Sequence, residues 1–238
     1  MTRSSNHFQR PIFVLGIPRS GTSLIAGLLK ISGAWAGYTV PGGSANPKGF
    51  FENVGLRENV SKTILRSMGV DPLGVMQLPE LDLSATVSGL ADQVGGMIRQ
   101  EGYAGDTPWL FKDAKLTLTW PQWQYAFPEA RWVIVRREPA EIIRSCLNTN
   151  FMIQHSSDPL FWQRWVDQYL DRLERLKEAD VWWREISAHP IVGGDFGEIR
   201  KLVADLDLHW SEQAVSAFVD PDAWHAKKED ATTAAAMP

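Results

Sequence analysis

The sequence predicts an α/β fold of three layers, in which a central, mostly parallel sheet is covered by helices on both faces. Two short apolar runs, residues 11–15 and 132–135, have the β-branched and aromatic composition of buried strands. Each run is followed by apolar residues at helical spacing, and strands that alternate with helices favour a parallel sheet. With 238 residues, 44% of them hydrophobic, the chain can bury a substantial core without disulfides.

Most of the chain can be assigned to this sheet and its helices. The first strand is followed by a helix with apolar residues on one face, Leu24, Ile25, Leu28 and Leu29. After the second clear strand, Pro139 suits the first turn of a helix. Further helices are predicted at residues 53–68, 84–100, 159–179, 196–206 and 211–219, and further strands at residues 109–111 and 181–183.

One domain is expected to cover residues 1–225, followed by a flexible tail over residues 226–238. The tail is polar and rich in small residues, which is typical of a frayed terminus. Within the domain, residues 33–52 are rich in Gly, Pro, Ser and Asn, so we interpret them as a long functional loop or lid.

Composition argues against several classes of function. The net charge is −4, from 24 basic and 28 acidic residues, and a nucleic-acid partner would require an excess of Lys and Arg. No stretch approaches the roughly 18 apolar residues of a membrane span, and the short polar start is no secretory signal. The single cysteine, Cys146, fits a reducing compartment, so we expect a cytoplasmic protein. Five scattered histidines show no metal-ligand spacing, so no metal is expected.

Eleven tryptophans are an unusual number for this length. The simpler interpretation is that they pack in the core. The alternative is that one or two of them line a ligand pocket with flat apolar surface. The two interpretations differ in where the indole rings lie in the fold.

A glycine-rich loop follows the first strand. Gly16, Gly21, Thr22 and Ser23 have the spacing of a phosphate-binding loop, whose backbone N–H groups and helix N-terminus form a cavity for phosphate oxygens. Nucleoside triphosphatases carry a lysine where this chain has Thr22, so ATP or GTP hydrolysis is not expected. The cation lies instead inside the loop, as Arg19, where it can stabilise a leaving phosphate. The alternative is a simple glycine turn with Arg19 on the surface.

A group of arginines surrounds the end of the second strand. The group comprises Arg131, Arg136, Arg137 and Arg144 in a chain that is acidic overall. Such clustering indicates an anion site, and ligands of open parallel sheets bind beyond the carboxyl ends of the strands. The glycine loop and the arginines are therefore expected to face one crevice. The alternative is a solvated, charged turn.

Both motifs resemble those of the sulfotransferases that use 3′-phosphoadenosine 5′-phosphosulfate (PAPS). The segment FVLGIPRSGTSL resembles the loop that binds the 5′-phosphosulfate, and RWVIVRREPAEIIRS resembles the motif that binds the 3′-phosphate. The segment FKDAKLTL is similar to a Lys-Asp-Pro-Arg segment of bacterial and tyrosylprotein-type members, and GFFEN is similar to their Gly-aromatic-Phe-Glu segment. The resemblance implies a P-loop-like fold.

The resemblance also implies the donor and its binding residues. The loop residues Arg19, Ser20, Gly21, Thr22 and Ser23 would hold the 5′-phosphosulfate, with Arg19 beside the bridging oxygen. Arg137 and Ser145, eight residues apart, would bind the 3′-phosphate. The product would be 3′-phosphoadenosine 5′-phosphate (PAP). A sulfuryl group carries less charge than a phosphoryl group, so in-line transfer needs no metal ion.

The acceptor is an alcohol or amine whose proton must pass to a base. The cytosolic branch of the family uses a histidine two residues beyond a lysine, but here Lys112 is followed by Ala114 at that spacing. Glu52 is therefore the first choice for the base and Asp113 the second, and Lys112 is expected to contact the sulfonate or the acceptor. Simpler roles are a helix-terminal carboxylate for Glu52 and a surface lysine for Lys112.

Some alternatives remain open at this point. A divergent nucleotide kinase or hydrolase is disfavoured by Thr22, and a non-catalytic nucleotide-binding protein is disfavoured by the retention of Arg19 and Glu52. The Gly-x-x-Gly-x-x-Lys segment that closes over the nucleotide in the cytosolic branch is missing, and Lys227 and Lys228 are substitute candidates. The partners are a nucleotide donor and a small-molecule, glycan or peptide acceptor, without nucleic acid or membrane. The oligomeric state is left open.

Overall fold

A four-stranded parallel sheet forms the centre of the protein. The computed structural model describes residues 7–43 and 47–220. The strands are β1 (Ile12–Gly16), β2 (Leu110–Lys112), β3 (Arg131–Arg136) and β4 (Trp182–Ser187). Their order across the sheet is β2-β1-β3-β4, and every neighbouring pair is parallel. The predicted parallel sheet is confirmed.

The register brings the carboxyl ends of the strands to one edge. Val14 of β1 pairs with Lys112 at the end of β2, and Gly16 pairs with Val135 near the end of β3. The glycine loop, the Lys-Asp segment and Arg137 therefore start from the same edge of the sheet. Ligands of open parallel sheets bind at that edge.

Helices connect the strands and cover the sheet. They are α1 (Thr22–Ile31), α2 (Val54–Leu56), a π-helical turn (Arg57–Ser61), α3 (Lys62–Ser67), α4 (Leu90–Gln100), α5 (Leu116–Ala126), α6 (Pro139–Leu147), α7 (Asn150–Ile153), α8 (Pro159–Glu178), α9 (Ala188–Val192), α10 (Gly197–Asp205) and α11 (Glu212–Phe218). Among the described residues, no helix combines the length and apolar character needed to cross a bilayer.

Both faces of the sheet are buried, as three layers require. Side chains of a strand alternate between the faces, and β1 is buried along its whole length. Phe13 and Leu15 pack with apolar residues of α4, α5, α6 and α8, whereas Ile12 and Val14 pack with those of α1, α9, α10 and α11. A strand that is buried on both faces has a continuous apolar sequence, and β1 could therefore be predicted from the sequence.

The tryptophans mostly belong to the core. Trp109, Trp123, Trp132 and Trp162 are fully buried. The rings of the first three surround Phe13, with centroid distances between 4.9 and 5.7 Å. The simpler interpretation of the tryptophan content is the one that the fold supports.

One predicted helix is shorter than expected, and one observed helix was not predicted. The helix expected over residues 84–100 begins only at Leu90, because Gly89 adopts a left-handed conformation with φ 70°. Helix α5 was not predicted, because its Pro121 lacks a backbone donor and favours an irregular segment. The helix is accommodated by a kink at Thr119, whose φ is −132°.

The loop that precedes Glu52 is partly anchored to the sheet. Trp35 forms a parallel bridge with Trp109, next to β2, and Thr39 forms an antiparallel bridge with Asn53. Residues 44–46 of this loop lie outside the described residues, as do the predicted tail, residues 226–238, and the candidates Lys227 and Lys228.

Adjacent glycines in α4 give a matched test of packing. A Cβ at Gly95 would lie 2.8 Å from the ring of Phe8, whereas a Cβ at Gly96 would meet no atom within 4 Å. We expect Gly96→Ala to stabilise the protein by about 1 kcal/mol through helix propensity. Gly95→Ala is expected to destabilise it by about 1 kcal/mol or more, because the aromatic ring must shift. Urea unfolding of both variants measures the difference, and equal stabilities would contradict this packing.

Candidate active site

The glycine loop connects β1 to α1 and leaves space for an anion at the start of the helix. A Cβ at Gly16 would lie 2.5 Å from the carbonyl oxygen of Val135, so only glycine fits beside β3. Gly21, with φ 99°, is the N-cap of α1, and within the described residues no side chain caps this helix. Uncapped N–H groups at a helix N-terminus attract anions.

Arg19 has a strained backbone within this loop. Its φ is 77°, a left-handed conformation that is unfavourable for a residue with a Cβ. Such strain is often found at functional sites. Its guanidinium lies 6.0 Å from the ring centroid of Phe151. Burial lowers the pKa of Arg19, with Arg137 acting in the same direction and Cys146 opposing it, but an arginine remains charged at neutral pH.

The two sequence motifs are in direct contact. Arg19 Nε donates to Ser145 Oγ over 3.0 Å, although 126 positions separate the two residues. Arg137 Nη1 donates to the backbone oxygen of Arg19 over 2.9 Å. Arg137 Nε also donates to Glu141 Oε2, at 2.8 Å. The expectation that both motifs face one crevice is therefore met.

Only part of the arginine cluster belongs to this crevice. Arg137 and Arg144 line it. Arg131 lies at the opposite end of β3 and pairs with Asp207, and Arg136 points elsewhere and pairs with Glu185 at 3.5 Å. Proximity in sequence suggested one cluster of four, but the prediction was wrong for two of them: Arg131 lies at the other end of β3, and side chains alternate between the faces of a strand, which turns Arg136 away from Arg137.

Glu52 is held at the crevice by the residues on either side of it. Phe51 has a φ of 57°, another left-handed non-glycine residue. Asn53 is the N-cap of α2, and its side-chain oxygen accepts from the Leu56 N–H over 2.9 Å. The Asn53 amide also donates to Glu101 Oε2 over 2.7 Å. These contacts fix the backbone position of Asn53 and thereby that of the adjacent Glu52.

Each carboxylate oxygen of Glu52 has its own cation. Lys112 Nζ, at the end of β2, lies 2.8 Å from Oε1, and Arg57 Nη1 lies 3.2 Å from Oε2. Burial disfavours the charged form of Glu52. The charges of Lys112, Lys115 and Arg57 outweigh that effect, so the pKa of Glu52 falls to about 2. Glu52 is ionised at neutral pH.

Asp113 has a different environment from Glu52. It is fully buried, and its Oδ1 lies 2.8 Å from Lys115 Nζ and accepts from the Lys115 backbone N–H. Burial lowers the pKa of Lys115, but the pairing with Asp113 and the nearby Glu52 outweigh this and raise it. Asp113 thus orients Lys115, which lines the crevice.

The crevice is one cavity of about 1020 Å³. It contains most of the predicted site residues, namely Arg19, Gly21, Thr22, Ser23, Glu52, Lys112, Arg137 and Ser145. The exception is Ser20, whose side chain is fully buried behind the loop against Gly16. Its backbone N–H is also engaged, by the carbonyl of Ile17, so Ser20 packs the loop and does not face the cavity.

Other cavity residues were missed by sequence reasoning. They include Arg57, Lys115, Phe151 and His155. Glu52 precedes α2, and Arg57 lies five positions after it, outside the i,i+3 and i,i+4 spacing of neighbours on a helix, so the sequence carried no signal for this pair. No described tryptophan is among the residues that line the cavity.

A glycine loop between an interior strand of a parallel sheet and its first helix is characteristic of P-loop-like proteins, which bind phosphorylated ligands there. The chain belongs to the sulfotransferase family, whose sequence model matches residues 11–212. The predicted enzyme class, a sulfotransferase, is thereby confirmed. Among curated proteins, no sequence matches this chain significantly.

Solved sulfotransferase structures share the fold. The sulfotransferase STF9 from Mycobacterium avium is 15% identical, with a TM-score of 0.52, over 92% of this chain and 69% of that one. The sulfotransferase domain of the olefin synthase from Synechococcus PCC 7002 is 13% identical, with a TM-score of 0.51, over 93% of this chain and 82% of that domain. These likenesses confirm the predicted P-loop-like α/β fold.

Proposed function

We propose that this protein transfers a sulfuryl group from PAPS to a hydroxyl or amine of an acceptor, without a metal ion. The observation that carries the proposal is the meeting of Arg19, Arg137 and Ser145 in one cavity beside the glycine loop. This arrangement supplies cations and donors for two anionic groups on one nucleotide. A donor with a 5′-phosphosulfate and a 3′-phosphate has that charge pattern.

Each end of the donor would have its own binding residues. The start of α1, with Gly21, Thr22 and Ser23, would hold the 5′-phosphosulfate through N–H and hydroxyl groups. Arg137 and Ser145 would hold the 3′-phosphate by charge-assisted hydrogen bonds. Arg19 would lie at the bridging oxygen between phosphorus and sulfur.

The chemistry is an in-line displacement at sulfur. The acceptor oxygen or nitrogen forms a bond to sulfur while the bond from sulfur to the bridging oxygen breaks. The bridging oxygen keeps the electron pair and leaves with PAP, and Arg19 stabilises its developing charge. The acceptor proton passes to Glu52.

Glu52 is a better candidate for the base than Asp113. Both carboxylates line the cavity. Asp113 is fully buried and its Oδ1 is paired with Lys115, whereas Glu52 is paired with Lys112, the lysine that also reaches the glycine loop. Lys112 Nζ lies 3.3 Å from Ser23 Oγ as well as beside Glu52. A sulfonate bound at Ser23 would attract Lys112 away from Glu52, and the loss of that charge would make the carboxylate a stronger base.

A second candidate function rests on the same lysine. Because Lys112 reaches Ser23 from β2, it could take the place of the lysine that other P-loop proteins carry in the loop. The protein would then be a nucleotide kinase or hydrolase that acts with Mg²⁺. The two functions differ in their need for a 3′-phosphate.

Calorimetric titration with PAP and then with ADP, without metal, tests the donor. We expect PAP to bind at least tenfold more tightly than ADP, because charge-assisted bonds to the 3′-phosphate contribute about 1.5–3 kcal/mol. Arg137→Ala should remove this preference. The matched control is Arg136→Ala, since the neighbouring Arg136 is 63% exposed and outside the cavity. Equal affinities for PAP and ADP, or a requirement for Mg²⁺, would contradict the proposal and favour the kinase or hydrolase.

A further inference from the structure

The helix that follows Glu52 contains one π-helical turn, Arg57–Ser61, between α2 and α3. Such single turns are rare and are frequently found at functional sites. Arg57, the first residue of the turn, lines the cavity and contacts Glu52. The sequence resemblance assigns no role to Arg57.

The two cations on Glu52 are anchored differently. Arg57 Nε donates to Glu58 Oε1 over 2.8 Å, and Glu58 in turn pairs with Lys62 at 2.7 Å. Arg57 is therefore held to its own helix. Lys112, on a flexible four-carbon side chain, lies between Glu52 and Ser23 of the glycine loop. Lys112 can therefore move from Glu52 towards an anionic ligand bound at the glycine loop, whereas Arg57 remains paired with Glu52.

We propose that Arg57 is a positioning residue, which holds Oε2 of Glu52 so that Oε1, the oxygen now paired with Lys112, faces the acceptor and takes its proton. This inference rests on the proposed function. When Lys112 moves to the sulfonate, Arg57 keeps the carboxylate in place and keeps it ionised. Without Arg57, the carboxylate would lose its orientation and its remaining directly paired cation, and only the more distant charge of Lys115 would be left.

The charges that face Glu52 allow a direct test. Lys112 lies at the end of β2, Lys115 lies in the segment after β2, and Arg57 belongs to the π-helical turn. The carboxylate of Asp113 partly balances Lys115. Burial raises the pKa of Glu52 and the three cations lower it, so removal of both directly paired cations should let burial prevail.

NMR titration of protein labelled with ¹³C at the glutamate carboxyl carbons measures this effect without any acceptor. The Glu52 signal is the one that Glu52→Gln removes. The Lys112→Met background, which mimics the departure of the lysine, supplies the reference midpoint of Glu52, and it should lie above that of the wild-type protein because the largest lowering influence is gone. Adding Arg57→Gln should raise the midpoint by about one pH unit or more. Adding Arg57→Lys should largely preserve the low midpoint, because the charge is kept.

The matched control is Arg66→Gln in the same background, since Arg66 is an exposed arginine of α3. It should leave the midpoint unchanged. If the double variant does not fold, the single variant Arg57→Gln, which retains Lys112, replaces it. In that variant the Glu52 midpoint should also rise by about one pH unit. Equal midpoints with and without Arg57, or an equal rise with Arg66→Gln, would overturn the inference. Failure of the proposed function would appear separately, in the PAP and ADP titrations of the wild-type protein.

Discussion

Glu52→Gln is expected to lower kcat for sulfuryl transfer by about 10³-fold, because a positioned general base contributes about 10²- to 10⁴-fold. The amide retains the size of the side chain but cannot take the acceptor proton. Affinity for PAP should stay the same or become tighter, because one negative charge near the anionic donor is lost. The measurement is single-turnover conversion of PAPS to PAP, with the best acceptor from a screen of the wild-type protein.

Asp113→Asn is the informative comparison for Glu52→Gln. Because Asp113 is buried and paired with Lys115, its loss should lower the thermal midpoint more than Glu52→Gln does and should reduce kcat by a smaller factor. A variant Glu52→Gln that still transfers sulfuryl groups, beside an inactive but folded Asp113→Asn, would assign the base to Asp113.

Removal of the Arg19 side chain is expected to separate stability from activity. Arg19→Ala and Arg19→Gly should both lower kcat by about 10²- to 10³-fold, because the leaving oxygen loses its cation. The two variants differ only in a Cβ at a backbone φ of 77°. Glycine accepts this conformation, so Arg19→Gly should be about 1 kcal/mol more stable than Arg19→Ala.

Urea unfolding and single-turnover kinetics on both Arg19 variants test this prediction. Arg19→Lys keeps a charge but loses the Nε donor that contacts Ser145, and we expect it to recover only part of the activity. Equal stability of the alanine and glycine variants would show that the backbone at residue 19 is not strained. Full activity of either would remove Arg19 from the transfer step.

Much of the donor side of the site could be predicted from the sequence because it is encoded locally. The apolar run of β1, the glycines at 16 and 21, and the start of α1 follow one another within a few residues, so strand, loop and helix N-terminus were all readable. Arg137 and Ser145 likewise lie on one strand end and the helix after it. Lys112 and Glu52 could also be identified from the sequence, because the segments that contain them resemble segments of the sulfotransferase family.

Contacts between distant segments were not readable. Nothing in the pattern indicated that Arg57 and Lys112 would take separate oxygens of Glu52, or that Arg19 would donate to Ser145. The direction of a side chain also could not be predicted from the sequence. Ser20 lies within the glycine loop, where a ligand contact was expected, but its side chain is fully buried. The clustering of four arginines in the sequence was misleading. Side chains alternate between the faces of a strand, so Arg136 and Arg137 point to opposite sides.

Hydrophobic periodicity and turn chemistry act over a few residues, so the amino-acid order alone specifies the parallel sheet, the glycine loop and the residue types available for an anionic donor. Which charges meet depends on how the chain folds. The parallel register of β1, β2 and β3 brings their carboxyl ends to one edge, and there burial removes water from Glu52. Its pKa then depends on Lys112, Lys115 and Arg57, which reach it from other parts of the chain.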